Sequence, residues 1–244
     1  MIQLQQLTNR TTSYSLTAII DTALCIGAGG SSGSLADKPI VRNAEKNLMI
    51  PASQLKGRFR HECEKIARGL GWGICHSPKA ETMCPQRAGL PDLENARFNR
   101  EEYRVREDDR HHCLICQIFG NPSLPSRVLF DDLVCQEKPE NLPEVLRPGV
   151  TINRRRRTAE EQKLYFLETS PANAKLEFTG SIHILPNCPA YALALIVAGL
   201  HHIHALGGSK SAGLGWLTWE LDQSLKINET AWQELAKGVI NEPN

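Results

Sequence analysis

Lys175-Leu176-Glu177-Phe178-Thr179-Gly180-Ser181-Ile182-His183-Ile184-Leu185 alternates Leu176, Phe178, Gly180, Ile182 and Ile184 with Lys175, Glu177, Thr179, Ser181 and His183. A period of two puts one set on each side of an extended chain, so this stretch predicts a strand with one face in a core. After it, Pro189 suits the first turn of a helix running to about Leu206, apolar nearly all round and therefore buried. Trp216 to Leu221 alternates again, as a further strand. Before it, Thr12 to Leu24 shows the same period at Tyr14, Leu16, Ala18 and Ile20, and Val128-Leu129-Phe130 is a strand fragment. Between these, Ser53 to about Leu70 turns helical. Leu55, Phe59, Cys63, Ile66, Ala67 and Leu70 form its apolar stripe, and Ser53 is its expected N-cap. No internal repeat is visible.

The chain has 244 residues, enough for one large domain or two small ones. Lys plus Arg number 28 against 27 Asp plus Glu, a net charge of +1. No global basic excess announces nucleic acid, so any such binding rests on local clusters. The N-terminus carries no basic and apolar leader, and the longest apolar run, Ala190 to Leu200, is too short for a bilayer. Eight cysteines without a secretion signal point to a reducing, cytoplasmic setting, where clustered thiols are metal ligands more often than disulfides.

Residues 71–120 are polar, contain proline and show little apolar periodicity, which reads as an insertion. Within it stand Cys75, Cys84 and the pair Cys113-Leu114-Ile115-Cys116. Four thiolates can close a tetrahedral structural zinc site and supply folding energy that such a segment lacks. Free thiols are the alternative, and His76, His111 or His112 could displace one cysteine. Cys25, Cys63, Cys135 and Cys188 sit in apolar surroundings and read as small core residues.

Three further clusters carry polar chemistry. Gly207-Gly208-Ser209-Lys210-Ser211-Ala212-Gly213-Leu214-Gly215 lacks the spacing of a nucleotide-binding P-loop, because Ser209 rather than glycine precedes Lys210. It is either a plain turn or a bare backbone that admits a phosphate, with Ser209, Lys210 and Ser211 as contacts. Lys56, Arg58 and Arg60 lie in the first turns of the Ser53 helix, where the macrodipole disfavours cations unless an anion is near. Arg154, Arg155, Arg156 and Arg157 sit between Val150-Thr151-Ile152 and Leu164-Tyr165-Phe166-Leu167. That is a basic hairpin tip for a polyanion, or a solvated loop. Asp37, before Lys38-Pro39, is by itself an ordinary turn former.

Taken in order, Ala28-Gly29-Gly30, Ala36-Asp37-Lys38-Pro39-Ile40-Val41-Arg42, Ile50-Pro51-Ala52-Ser53-Gln54-Leu55-Lys56-Gly57, Cys113-Leu114-Ile115-Cys116-Gln117-Ile118-Phe119-Gly120 and the glycine loop resemble the RAMP superfamily of CRISPR-associated proteins. Within it the likeness is to the Cas-seven-type backbone subunits of type III effector complexes, leaning toward subtype D. The resemblance implies an α+β, ferredoxin-like, RRM-related core in a single domain, with a zinc-binding insertion at about 71–120 and a thumb hairpin at about 145–170. It also implies a filament on guide CRISPR RNA that displays paired single-stranded target RNA, beside other effector subunits including a polymerase-like large one. Asp37 falls where cleavage subunits carry their required carboxylate, and Mg2+ or Mn2+ suits that oxygen ligand. Lys56, Arg58, Arg60, Ser209, Lys210 and Ser211 would hold the guide backbone. A non-cleaving scaffold and a guide-precursor processing enzyme are the competing readings.

Overall fold

The computed structural model describes residues 11–27, 36–89, 101–189, 191–222, 225, 227 and 229–237. Along the chain run β1 (Thr12–Ile20), β2 (Met49–Ile50), α1 (Ala52–Gly69), α2 (Leu114–Phe119), β3 (Val128–Phe130), β4 (Leu133–Cys135), β5 (Val145–Asn153), β6 (Thr158–Thr169), β7 (Leu176–Ile184), α3 (Ala192–His202), β8 (Leu217–Leu221) and α4 (Glu229–Lys237). The fold is mixed α and β with antiparallel sheets. Its spine is the alternating strand β7, which pairs with β1 along the whole length of both, from Thr12 opposite Ile184 to Ile20 opposite Leu176. The main sheet runs β2-β4-β7-β1-β8, with β3 also on β7.

Period two delivers the layers. Leu16, Ala18, Ile20, Phe178 and Ile182 are buried on one face, where α1 and α3 pack. Phe59 of α1 sits at the centre of this layer, its ring 5.1 Å from Phe130 and 6.2 Å from Trp219. Gly180 keeps the alternation but leaves out a side chain for a reason: a Cβ there would lie 2.7 Å from the Asp132 carbonyl oxygen, where the β3–β4 link crosses β7. The opposite face is polar. Ser13 Oγ lies 2.8 Å from Nδ1 of His183, whose Nε2 lies 2.9 Å from Asp131.

The expected N-cap of the long helix differs. α1 begins at Ala52, so Ser53 is already inside its first turn. The cap comes from across the fold, where the Asp132 carboxylate accepts the Ala52 N–H at 2.7 Å. No local sequence rule supplies a cap eighty residues away.

β5 and β6 form a separate two-stranded sheet. Its turn is Arg154–Arg157, shaped by Asn153: its side-chain oxygen accepts the Arg155 and Arg156 N–H groups at 3.1 and 3.0 Å, and its carbonyl accepts that of Arg157. At the other end Glu168 is buried and accepts the Ile40 N–H at 3.0 Å and an Arg42 N–H at 2.9 Å. Among the described residues no helix is long and apolar enough to cross a membrane. Ala28, Gly29 and Gly30, which carry part of the resemblance, and residues 90–100 of the expected insertion lie outside the described residues.

Candidate metal centre and nucleic-acid interface

Cys75, Cys84, Cys113 and Cys116 are buried, and their four sulfur atoms all lie within 4.8 Å of one another. A tetrahedron with Zn–S bonds of about 2.3 Å has sulfur edges of about 3.8 Å. The Cys75 and Cys116 sulfurs are 3.7 Å apart, so the spacing is that of ligands around a common ion and not of a disulfide. Hydrogen bonds from Cys113, Cys116 and Cys84 pull the Cys75 thiol far below its ordinary pKa, while Cys113, bonded to the other three, is held well above. Four sulfurs this close cannot all ionise without a cation among them.

Two of these sulfurs come from α2 and its N-cap, two from the loop after α1. All four belong to the same buried cluster as the sheet's core face, although the segment reads as polar in sequence. The histidines take other roles. His76 is exposed, and the buried His112 has its Nδ1 3.0 Å from the Asn121 amide. None of His76, His111 and His112 belongs to the four-ligand group.

Around α1 the three cations expected to act together are separated. Arg58 lines a cleft of about 340 Å³ with Ser53, Gln54, Gly57 and His61 of α1 and Leu206, Gly207 and Lys210 of the glycine loop. Gly57 leaves this wall of the helix bare, since a Cβ there would meet nothing within 4 Å. Arg60 turns elsewhere. Its Nη1 donates to the Gly120 carbonyl at 2.8 Å, its Nε to Glu64 at 3.0 Å, and its Nη2 lies 3.5 Å from the Cys116 sulfur. Burial pulls its pKa down, but Cys116 and Glu64 outweigh that and hold it above the ordinary value. Lys56 is half-buried, with its pKa lowered by burial and by Arg60.

Arg58 and Arg60 therefore have carboxylate partners within the helix. Arg58 pairs with the fully buried Glu62 at 3.0 Å, which also takes Lys65 at 2.7 Å. These i,i+4 carboxylates offset part of the macrodipole conflict that the sequence suggested an external anion should relieve. The Arg58 Nε is nonetheless a buried donor without a hydrogen-bond partner, beside the cleft.

The glycine loop is fixed by close approach to the backbone. Gly207 (φ 85°) and Gly215 (φ 72°) have left-handed conformations, and a Cβ on Gly207 would lie 2.4 Å from the Cys25 carbonyl oxygen. Gly208 and Gly215 donate to the carbonyls of Cys25 and Ala23. Ser209 and Ser211 are exposed, and Lys210 folds back so that its Nζ donates to the Gly207 carbonyl at 3.0 Å. That contact is one a competing phosphate could replace.

A family model for the RAMP superfamily matches residues 17–218, from within β1 to within β8. The chain belongs to the RAMP superfamily. No curated protein matches it. In this RAMP protein the matched span takes in Asp37, α1, the four cysteines, the hairpin and the glycine loop.

Asp37 meets the root of the RAMP protein's hairpin. Its N–H donates to the Phe166 carbonyl at 3.0 Å, and its Oδ2 accepts the Phe166 N–H at 2.7 Å. The carboxylate is exposed and belongs to no group of three or more close ligating side chains among the described residues. Arg154–Arg157 stand at the far end of β6 and are exposed. From Thr158 to Phe166 an extended strand spans roughly 26 Å, so the basic tip and Asp37 are separate features of the RAMP chain. Near Asp37 the hairpin instead offers Val150, Leu164 and Tyr165, each more than 40 % exposed. His61 and the bond from Arg60 to Cys116 escaped the sequence reading. The first lacks a motif, and the second depends on how α1 meets α2.

Proposed function

We propose that this RAMP protein is a guide-RNA-binding backbone subunit of a type III CRISPR interference complex that cleaves the paired target RNA, with zinc in its cysteine centre. The observation that carries the reading is the cleft where the first turns of α1 meet the glycine loop. It joins the cations Arg58 and Lys210 and the imidazole of His61 with the bare backbone at Gly57 and Gly207, which suits a sugar-phosphate chain whose sequence is left to pairing. The path β1-α1-β3/β4-β7-α3-β8, on an antiparallel sheet, supports a ferredoxin-like, RRM-related core. The separate β5–β6 hairpin supports a thumb, with Arg154–Arg157 as its phosphate contacts.

For cleavage, Asp37 supplies one exposed carboxylate at the thumb's root. A single carboxylate with substrate phosphates is a fitting ligand set for Mg2+ or Mn2+, which when bound would polarise the scissile phosphate. The chain's own part is to hold that carboxylate through the Phe166 N–H while the hairpin fixes the target strand beside it. The same hydrogen bond favours a second reading, in which Asp37 only anchors the thumb and the subunit is a scaffold.

Asp37→Asn separates the two in the assembled complex, because Asn keeps a carbonyl oxygen for Phe166 but loses the charge. Guide and target binding retained with loss of metal-dependent cutting at this subunit's positions is the expected result. Normal cutting overturns the catalytic role of Asp37, and an assembled wild-type complex that binds target without cutting at these positions leaves the scaffold. For the cleft, Arg58→Ala and Lys210→Ala should each weaken guide binding independently of sequence and lower the salt slope by about 0.7, one single-strand phosphate contact each. Losses restricted to particular guide sequences would refute a backbone role.

A further inference from the structure

We propose that Arg60 is the charge partner of the metal-loaded cysteine centre, donating from Nη2 to the Cys116 sulfur, and takes no part in holding guide RNA. This rests on the zinc reading above and assigns to the centre a residue that sequence places on the RNA. A zinc ion with four thiolates carries a net charge of −2, and burying it requires nearby positive charge or N–H donors. Among the described residues Arg60 is the cation bonded to one of the four sulfurs, at 3.5 Å, a normal length for a donor to sulfur.

The rest of the guanidinium is already committed. Gly120, which receives Nη1, is the residue that closes α2, four positions after Cys116 on the same short helix. Glu64 receives Nε from one turn along α1. One planar fork thus ties α1 to the end of α2 while facing the thiolate, with only 19 % of its side chain exposed. Reaching a phosphate outside would strand the Gly120 carbonyl and the Cys116 sulfur together. Arg58, two residues earlier, faces the cleft instead. The two arginines, two residues apart on α1, therefore divide between two jobs, one on each side of the helix.

Partners of this outer kind change metal affinity by about 10–100-fold when removed. The test uses the full chain. Wild type, Arg60→Gln, Arg60→Lys and Arg58→Ala are compared for zinc affinity by competition with a chromophoric chelator. The same set is compared for the thiolate-to-cobalt absorption of the Co2+-loaded protein and for the salt slope of RNA binding. The expected result is that Arg60→Gln weakens zinc about 10-fold or more and moves the cobalt band to lower energy, because a thiolate that loses a hydrogen bond gives up charge more readily. Its salt slope should stay at the wild-type value, while Arg58→Ala shows the reverse pattern. Arg60→Lys keeps the charge but cannot serve three acceptors in one plane, so an intermediate zinc affinity is expected and keeps the test open should the Gln variant fail to fold. Unchanged zinc affinity and cobalt spectrum in the Arg60 variants, or a salt slope that falls by about 0.7, would overturn the assignment. Wild-type chain that folds without binding zinc would defeat the underlying reading first, before any variant is compared.

Discussion

Replacing Gly215 with Ala should unfold this protein at a markedly lower temperature. Gly215 has φ 72°, and a Cβ there would lie 1.9 Å from the Leu206 carbonyl oxygen and 3.0 Å from its carbon. Ordinary contact begins near 3.4 Å, so the backbones must part by about 1.5 Å. The displaced segment carries two hydrogen bonds, Leu206 N–H to the Gly215 carbonyl at 2.9 Å and Gly215 N–H to the Ala23 carbonyl at 2.8 Å. Losing both costs about 2 kcal/mol, at about 1 kcal/mol each. The left-handed conformation costs a non-glycine residue a further 1–2 kcal/mol or so. Restricting the unfolded chain gives back roughly 0.5 kcal/mol. The sum is about 3 kcal/mol, or roughly 6–12 °C in Tm for a chain of this size. Gly213 is the internal control, because it shares a positive φ (85°) but a Cβ there meets nothing within 4 Å. Strain alone, about 1 kcal/mol after the same unfolded-chain offset, should lower its Tm by only about a third as much. Calorimetry or urea unfolding of wild type, Gly215→Ala and Gly213→Ala decides the matter. A Gly215→Ala protein within about 2 °C of wild type, or no more destabilised than Gly213→Ala, refutes the close-approach argument.

Two further outcomes can be checked with the same preparations. Asp132→Ala removes the cap on the Ala52 N–H and should cost about 1 kcal/mol in urea unfolding, with Asp132→Asn close to wild type. Elemental analysis of chelator-free protein should find about one zinc per chain, and Cys113→Ser should lose most of it while destabilising the segment around α2 first, as read by hydrogen exchange.

Much of the fold was legible because alternation and helical stripes are local. The strand around Lys175–Leu185, the early strand at Thr12, the Ser53 helix and the strand at Trp216 appear within a few residues of their expected bounds. The cysteines were legible for a chemical reason, since four thiols in one segment have few other uses. Periodicity does not carry partners, and these the tertiary structure decided. Ser53 looked like a cap from its neighbours, but Asp132 arrives through the β3–β4 link to do that work while Ser53 lines the cleft. Asp37 looked like a turn residue, and its carboxylate is bonded to a strand 129 positions away. Lys56, Arg58 and Arg60 look equivalent in sequence. At 100° per residue, two positions turn a side chain through more than half a circle, so Arg58 meets the glycine loop and Arg60 meets the cysteine sulfur. Sequence alone determined which residues carry charge, thiol or apolar bulk and which segments are extended or helical. Only the packing of α1 between the glycine loop and α2 decided what each charge would face.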